Sequence, residues 1–274
     1  MHLPNFIAKL VPVRARMIAA KVFRGTPPSA AQPAPFKDFI DALSCLECRV
    51  SYNKYGGYCV PESSQHRPAA RLVLDNDVYE PDTIEYMREE CGSGDIIHAG
   101  TYFGDFLPAL SSACADGAIV WAFEPNRENY RCARITMEIN EANNVRLMNA
   151  GLGEKHQYLR VETTDSGGRS LGGGSRIVSG RNMDERGTEP VEIVAIDDVV
   201  GDDRTVAILQ LDVEGHEKQA LAGAIRTIRR CKPIIILEVL PGSDLLESEW
   251  FSTNILNVGY REHAQLHGNK VFIS

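Results

Sequence analysis

"DIIHAGTYFGDFL" (residues 95–107) carries a short apolar run straight into Gly100, with Gly104 four residues on and a helical pattern behind it. A buried strand that turns on glycine into a helix is the opening unit of a nucleotide-binding α/β sheet. A dinucleotide turn wants G-x-G-x-x-G, because backbone must approach a pyrophosphate. Here only two glycines stand at G-x-x-x-G spacing, which suits a ligand without phosphates.

Outward from this turn, residues 94–274 alternate strand and helix patterns, the signature of a parallel sheet with crossover helices. "AIVWAFEP" (118–125), "VRLMNAGLG" (145–153), "VAILQLDVEGHE" (206–217) and "PIIILEVLPG" (233–242) read as further strands. "NRENYRCARITMEIN", "KQALAGAIRTIRRC" and "LLESEWFSTNILNVGY" read as helices. "HQYLRVE" and "VEIVAIDDVV" read as extra strands, and a terminal antiparallel hairpin closes around His267–Gly268. "SGGRSLGGGSRIVSG" (166–180) is too rich in glycine for regular structure; a loop this long in a compact domain suggests a flap over a binding site.

Two regions precede this domain. Residues 1–35 pair a basic segment, "FIAKLVPVRARMIAAKVFRG", with a Pro/Ala-rich linker. That segment reads as an amphipathic helix for peripheral membrane contact or as a packing and oligomer-contact helix. It lacks the long apolar core of a signal peptide. Residues 36–93 read as an N-terminal appendage or lid: a helix in "FKDFIDALSCLE", a strand pair at "YGGYCVPE" and a helix in "EPDTIEYMREEC".

A net charge of −8 argues against a nucleic-acid partner. Seven cysteines, an odd number, fit reduced thiols in a cytoplasmic protein. Cys45 and Cys48 form one CxxC, and zinc would need a second pair. No apolar run reaches the ~18–20 residues of a membrane span.

In doubly wound sheets the ligand sits past the carboxyl ends of the strands. Glu124 ends the second strand, 24 residues after Gly100, where one carboxylate can take two ribose hydroxyls. Strand alternation in "ILQLDVEGHE" puts Asp212 and Glu214 on one side and Val213 on the other. Asp212, Glu214, His216 and Glu238 are the acid–base candidates. Magnesium would need two or three converging oxygens; Asp212 and Glu238 offer two and no third is evident, so no metal is assigned.

The motifs "IIHAGTYFGDFL", "VWAFEPNRENY", "NAGLG", "VAIDD", "ILQLDVEGHEKQALAGA" and "ILEVLPG" together resemble the FkbM-type S-adenosylmethionine-dependent methyltransferases over about residues 70–242. The resemblance implies a class I, Rossmann-like, mostly parallel seven-stranded sheet. It implies O-methylation of a sugar or sugar-bearing natural product. It places S-adenosylmethionine against Ala99, Gly100, Thr101, Phe103 and Gly104, with Glu124 on the ribose and Asn126 beside it. Ala150 and Gly151 would flank the adenine, and Asp212 and Glu214 the transferring methyl. Asp212 or His216 is then the expected base, with Glu214 positioning a ligand. Where the family's first strand ends D-V-G-A-N, this chain has H-A-G-T-Y. His98 at the methionine end either hydrogen-bonds a carboxylate or is a satisfied strand-end histidine. Tyr79, Glu80, Arg169, Ser170 and Glu238 are the expected acceptor-site residues, and a homo-oligomer is the expected assembly. Other readings are a peptide, lipid or metabolite hydroxyl as acceptor, a nicotinamide dehydrogenase, and a silent cofactor-binding protein.

Overall fold

A computed structural model describes residues 45–178 and 186–274. Residues 46–274 form one compact unit, while the basic segment, the linker and most of "FKDFIDALSCLE" lie outside the described residues.

The chain enters through an antiparallel hairpin of β1 (Cys48–Asn53) and β2 (Gly56–Pro61), then α1 (Pro68–Leu74) and α2 (Pro81–Glu90). Pro68 and Pro81 each open a helix, where the missing N–H costs nothing. The hairpin does not stand apart as an appendage. Tyr58 and Cys59 of β2 are buried with Phe103 and Cys132, and the Cys59 amide donates to Thr136 Oγ1 at 3.0 Å.

The main unit follows as β3 (Asp95–Ala99), α3 (Leu107–Ala113), β4 (Val120–Phe123), α4 (Arg127–Ile139) and β5 (Val145–Met148). A side sheet comes next: β6 (Ala150–Leu152), β7 (Gln157–Glu162), β8 (Arg176–Val178) and β9 (Thr188–Val194), in the order β6-β9-β7-β8. The main sheet resumes through α5 (Ile196–Val199), β10 (Val206–Leu211), α6 (Glu217–Ala222), α7 (Ile225–Cys231) and β11 (Ile234–Glu238). It ends with α8 (Glu249–Asn254), β12 (Arg261–Leu266) and β13 (Asn269–Ile273).

The seven strands run β12-β13-β11-β10-β3-β4-β5, parallel from β11 to β5, with β13 antiparallel to both neighbours. The order reverses between β3 and β10, so a crevice opens between their carboxyl ends. Central strands are apolar on both faces because helices cover both. Ile97, Leu209, Leu211 and Leu237 pack into one core, and Ile96, Ile208 and Ile236 into the other.

Several elements differ from the sequence reading. The glycine-rich stretch 166–180 holds β8, and "YGGYCVPE" is not a strand pair but mostly β2, whose partner β1 lies upstream. "VRLMNAGLG" is two strands in two sheets, broken at Asn149, whose amide donates to the Glu124 and Pro125 carbonyls at 2.9 and 3.2 Å. "KQALAGAIRTIRRC" is two helices, because Gly223 packs on the Gly153 backbone, where a Cβ would stand 2.0 Å from the carbonyl oxygen. "IDD" is not strand: it lies in α5, where the Asp197 carboxylate accepts from the Arg226 and Thr227 amides, holding the start of α7.

Candidate active site at the carboxyl ends of the central strands

Two recesses meet in the crevice. One is a narrow apolar recess of about 20 Å³, walled by Phe123, Leu152, Ile177 and Val213, with the Glu124 carboxylate in it. The other is a polar cavity of about 180 Å³ that carries Glu80, Asp105, Asp212, Glu214 and Glu238. Arg67 is the one Lys or Arg among the described residues lining it. Gly100, Gly173 and Asp212 line both.

The walls are built by backbone that ordinary residues avoid. Gly100 has φ +84°, and a Cβ there would lie 1.8 Å from the Asp212 carbonyl oxygen, so glycine is what lets the two strand ends meet. Tyr102, Glu214 and Glu80 hold φ of +54°, +52° and +49° without being glycine. Such strain is held in place by surrounding packing and collects at ligand sites.

Glu124 is 3% exposed. Its oxygens accept from the Tyr102 amide at 2.7 Å and the Asn126 amide at 2.8 Å. Burial nonetheless pushes its carboxyl up to about 8. Asn129 Nδ2 also donates to the oxygen that takes the Asn126 amide, at 3.4 Å, so at two hydrogen bonds per oxygen the remaining acceptor capacity lies on the oxygen facing the Tyr102 amide.

Asp212 stands well above the ordinary carboxylate range, through burial first and then the hydrogen bond and charge of Glu238. Burial, then Glu238, raises Glu214 to about 7; burial, then Glu80, raises Asp105 to about 7. Glu80 is likewise raised by burial, although Asn269 Nδ2 donates to it at 2.7 Å. Tyr79, pushed up to about 12 by burial, stays a neutral phenol beside it. Asp212, Glu214 and Glu238 each offer an oxygen within 4.8 Å of the others. Glu214, left out of the sequence reading of a metal site, is thus the third converging carboxylate.

His98 is 2% exposed and lies in the polar cavity, stacked on Phe106 at 5.1 Å. Its Nδ1 meets Gln210 Oε1 at 2.5 Å, while its buried Nε2 has no partner. Burial lowers it to about 4, which keeps the ring neutral. It is therefore satisfied on one nitrogen and open on the other.

The structure brings Tyr79, Glu80, His98, Ala99, Gly100, Glu124, Ala150, Asp212, Glu214 and Glu238 to the two recesses. It moves others away. His216 stands at the head of α6 with Nε2 close to Gly153, lining neither recess, because Glu214 and Gly215 (φ +92°) turn the chain aside. Thr101 and Phe103 are fully buried: the Thr101 hydroxyl donates to the His98 carbonyl, and Phe103 packs edge-on to Tyr58. Gly104 (φ +84°) faces Leu107 and α4, and Gly151 sits against Ile177 and Ile193. Asn126 caps α4 and donates to Ser175 Oγ at 2.9 Å. Arg169 is exposed, and the Ser170 hydroxyl accepts from the Gly172 amide in its own loop.

From the glycine-rich loop it is Gly173, Gly174, Ser175 and Ile177 that reach the crevice. Asn129 Nδ2 holds the Gly172 carbonyl at 3.1 Å, beside the Asn126–Ser175 bond. Sequence reasoning missed Arg67, Tyr102, Asp105, Phe106 and Gln210. Asp105 was legible as the acid in the glycine turn, and Gln210 as the one polar residue in an apolar strand.

The strand order, with a buried acid at the end of β4, is that of the class I methyltransferase fold. The chain belongs to the FkbM methyltransferase family: residues 98–256, more than half its length, match the Methyltransferase FkbM domain. No curated protein matches it. Among solved structures it is similar to the methyltransferase FkbM from Methylobacillus flagellatus KT, at 22% identity over 66% of this chain and 44% of that one, with a TM-score of 0.44. The chain thus spans under half the length of that relative. It is also similar to a SAM-dependent methyltransferase from Aquifex aeolicus, at 14% identity over 77% and 95% of the two chains, with a TM-score of 0.40. The tRNA (uracil-54, C5)-methyltransferase of Pyrococcus abyssi, in complex with S-adenosyl-L-homocysteine, is 11% identical over 83% and 44%, with a TM-score of 0.40. No helix among the described residues is long and apolar enough to cross a membrane.

Proposed function

We propose that this chain binds S-adenosylmethionine across the two recesses and methylates a hydroxyl of a sugar or sugar-bearing natural product. The observation that carries the reading is the place of Asp212, which lines both the apolar recess and the polar cavity. A donor held in the first and an acceptor in the second would meet at its carboxylate.

The residues present fit the cofactor. Phe123, Leu152 and Ile177 offer apolar faces to a purine, and Glu124 offers a buried carboxylate to a ribose diol. The recess has room for about one water, so admitting a nucleoside requires the Gly173–Ile177 segment to swing out. When bound, the sulfonium supplies an electrophilic methyl carbon for in-line attack by the acceptor oxygen. Asp212, raised by burial and by Glu238, takes the proton of the acceptor hydroxyl. Glu80, Glu214 and Glu238 accept from the hydroxyls around it, which suits a polyol better than an apolar acceptor.

Titration of the full chain with S-adenosylmethionine and with NAD tests the cofactor. Methyl-label transfer to a panel of sugars, glycolipids, peptides and simple alcohols tests the acceptor. Binding of NAD alone, or label passing only to peptides, would overturn the reading.

A further inference from the structure

We propose that Asp212, Glu214 and Glu238 form a site for a hard divalent cation of the magnesium or manganese type, positioned to take an acceptor hydroxyl into its coordination shell. The acceptor part rests on the methyl-transfer reading; the cation part does not.

Oxygens of the three carboxylates lie within 4.8 Å of one another, the span across which a small cation binds ligands on opposite sides at 2.0–2.6 Å. They come from different elements: Asp212 and Glu214 from the exit of β10, Glu238 from the end of β11 beside it. Leaving such oxygens together without a counter-charge is costly, because like charges at this range resist ionising together. Arg67 and no other Lys or Arg among the described lining residues shares their cavity. Glu238 Oε2 is buried with no hydrogen-bond partner.

A second observation comes from another strand. His98 of β3 pairs in register with Gln210 of β10, two residues before Asp212, so all three stand on one face of the sheet. Gln210 Oε1 can only accept, so Nδ1 of His98 carries the hydrogen and the bare lone pair is left on Nε2. That nitrogen belongs to a side chain 2% exposed that lines the same cavity, and it has no partner. A water coordinated to a cation held by the three carboxylates is a donor suited to this acceptor. Carboxylate oxygens make the site hard, which favours magnesium, manganese or calcium over zinc or copper.

The cation changes what the carboxylates do. Asp212 holds the cation through one oxygen and keeps the other for the proton of the acceptor hydroxyl. A coordinated hydroxyl ionises more readily, so that transfer becomes easier. A hydroxyl with a second oxygen on the neighbouring carbon chelates such a cation, so a vicinal diol or hydroxy-carbonyl is the favoured acceptor class.

The test titrates Mn2+ alone into metal-stripped full-length protein, following the electron paramagnetic resonance signal of free Mn2+. One equivalent binds, Mg2+ displaces it, and Glu238→Gln and Asp212→Asn each weaken it by about tenfold or more. Asp116→Asn, outside the crevice, leaves binding unchanged. Absence of stoichiometric Mn2+ binding by the wild type overturns the proposal, and so does equal binding by both site variants. S-Adenosylmethionine titrated separately into the same samples keeps the two readings apart. Cofactor binding without Mn2+ sinks the cation site alone; Mn2+ binding without the cofactor sinks the methyl-transfer reading and leaves the site standing.

Discussion

At the residue scale, the chain keeps acids where burial makes them costly. Glu124 has a folded pKa of about 8 against an ordinary 4.5, so the folded protein holds its proton across that window while the unfolded chain has lost it. The stability it contributes is full below about 4.5, declines as pH rises, and is gone above about 8. Melting temperatures measured from pH 4.5 to 8.5 should therefore fall more steeply for the wild type than for Glu124→Gln. Above about pH 8, where its carboxyl is ionised, the same substitution removes a charged acceptor for a ribose diol, and cofactor affinity measured there should drop by about tenfold or more. Gly100→Ala meets both a left-handed φ and a carbonyl 1.8 Å from its Cβ. Its cost should exceed about 2 kcal/mol in a denaturant titration.

At the element scale, the segment from Gly172 to Val178 is a strap over the apolar recess, tied by Asn126–Ser175 and Asn129–Gly172. Ser175→Ala cuts the first tie without touching the recess floor. Protease cleavage near 172–178 and cofactor association, followed by stopped flow, should both quicken; unchanged rates would remove the strap from the binding step. Asp197 caps the start of α7 through two backbone amides and the Thr227 hydroxyl. Asp197→Ala should cost about 1–2 kcal/mol by denaturant midpoint with methyl transfer per folded molecule retained. The "IDD" box thus has a structural use that its place in the chain did not reveal.

At the scale of the whole molecule, the parallel core was legible because buried strands leave continuous apolar runs between helical patterns. The side sheet was only half legible. β6 follows β5 after one residue, and β8 is three residues within a glycine-rich stretch, so neither offers a periodicity to read. Residues that close strands, Glu124, Asp212 and Glu238, were found because chain position and cleft position coincide there. The family resemblance places Thr101, Phe103 and Gly104 at the cofactor, and the strand exit makes His216 a candidate base, but the positive φ at Gly100, Tyr102 and Gly215 points the chain elsewhere. Arg67 lies outside the αβ repeat, with no local signal to place it over the sheet.

The central claim is that Asp212 joins a donor recess to an acceptor cavity. The measurement is transfer of labelled methyl from S-adenosylmethionine to a polyol acceptor by the wild type and by Asp212→Asn, with cofactor affinity measured on the same samples. The account predicts that Asp212→Asn binds the cofactor within a few-fold of the wild type and loses transfer by about 100-fold or more. Transfer by Asp212→Asn at the wild-type rate would contradict it.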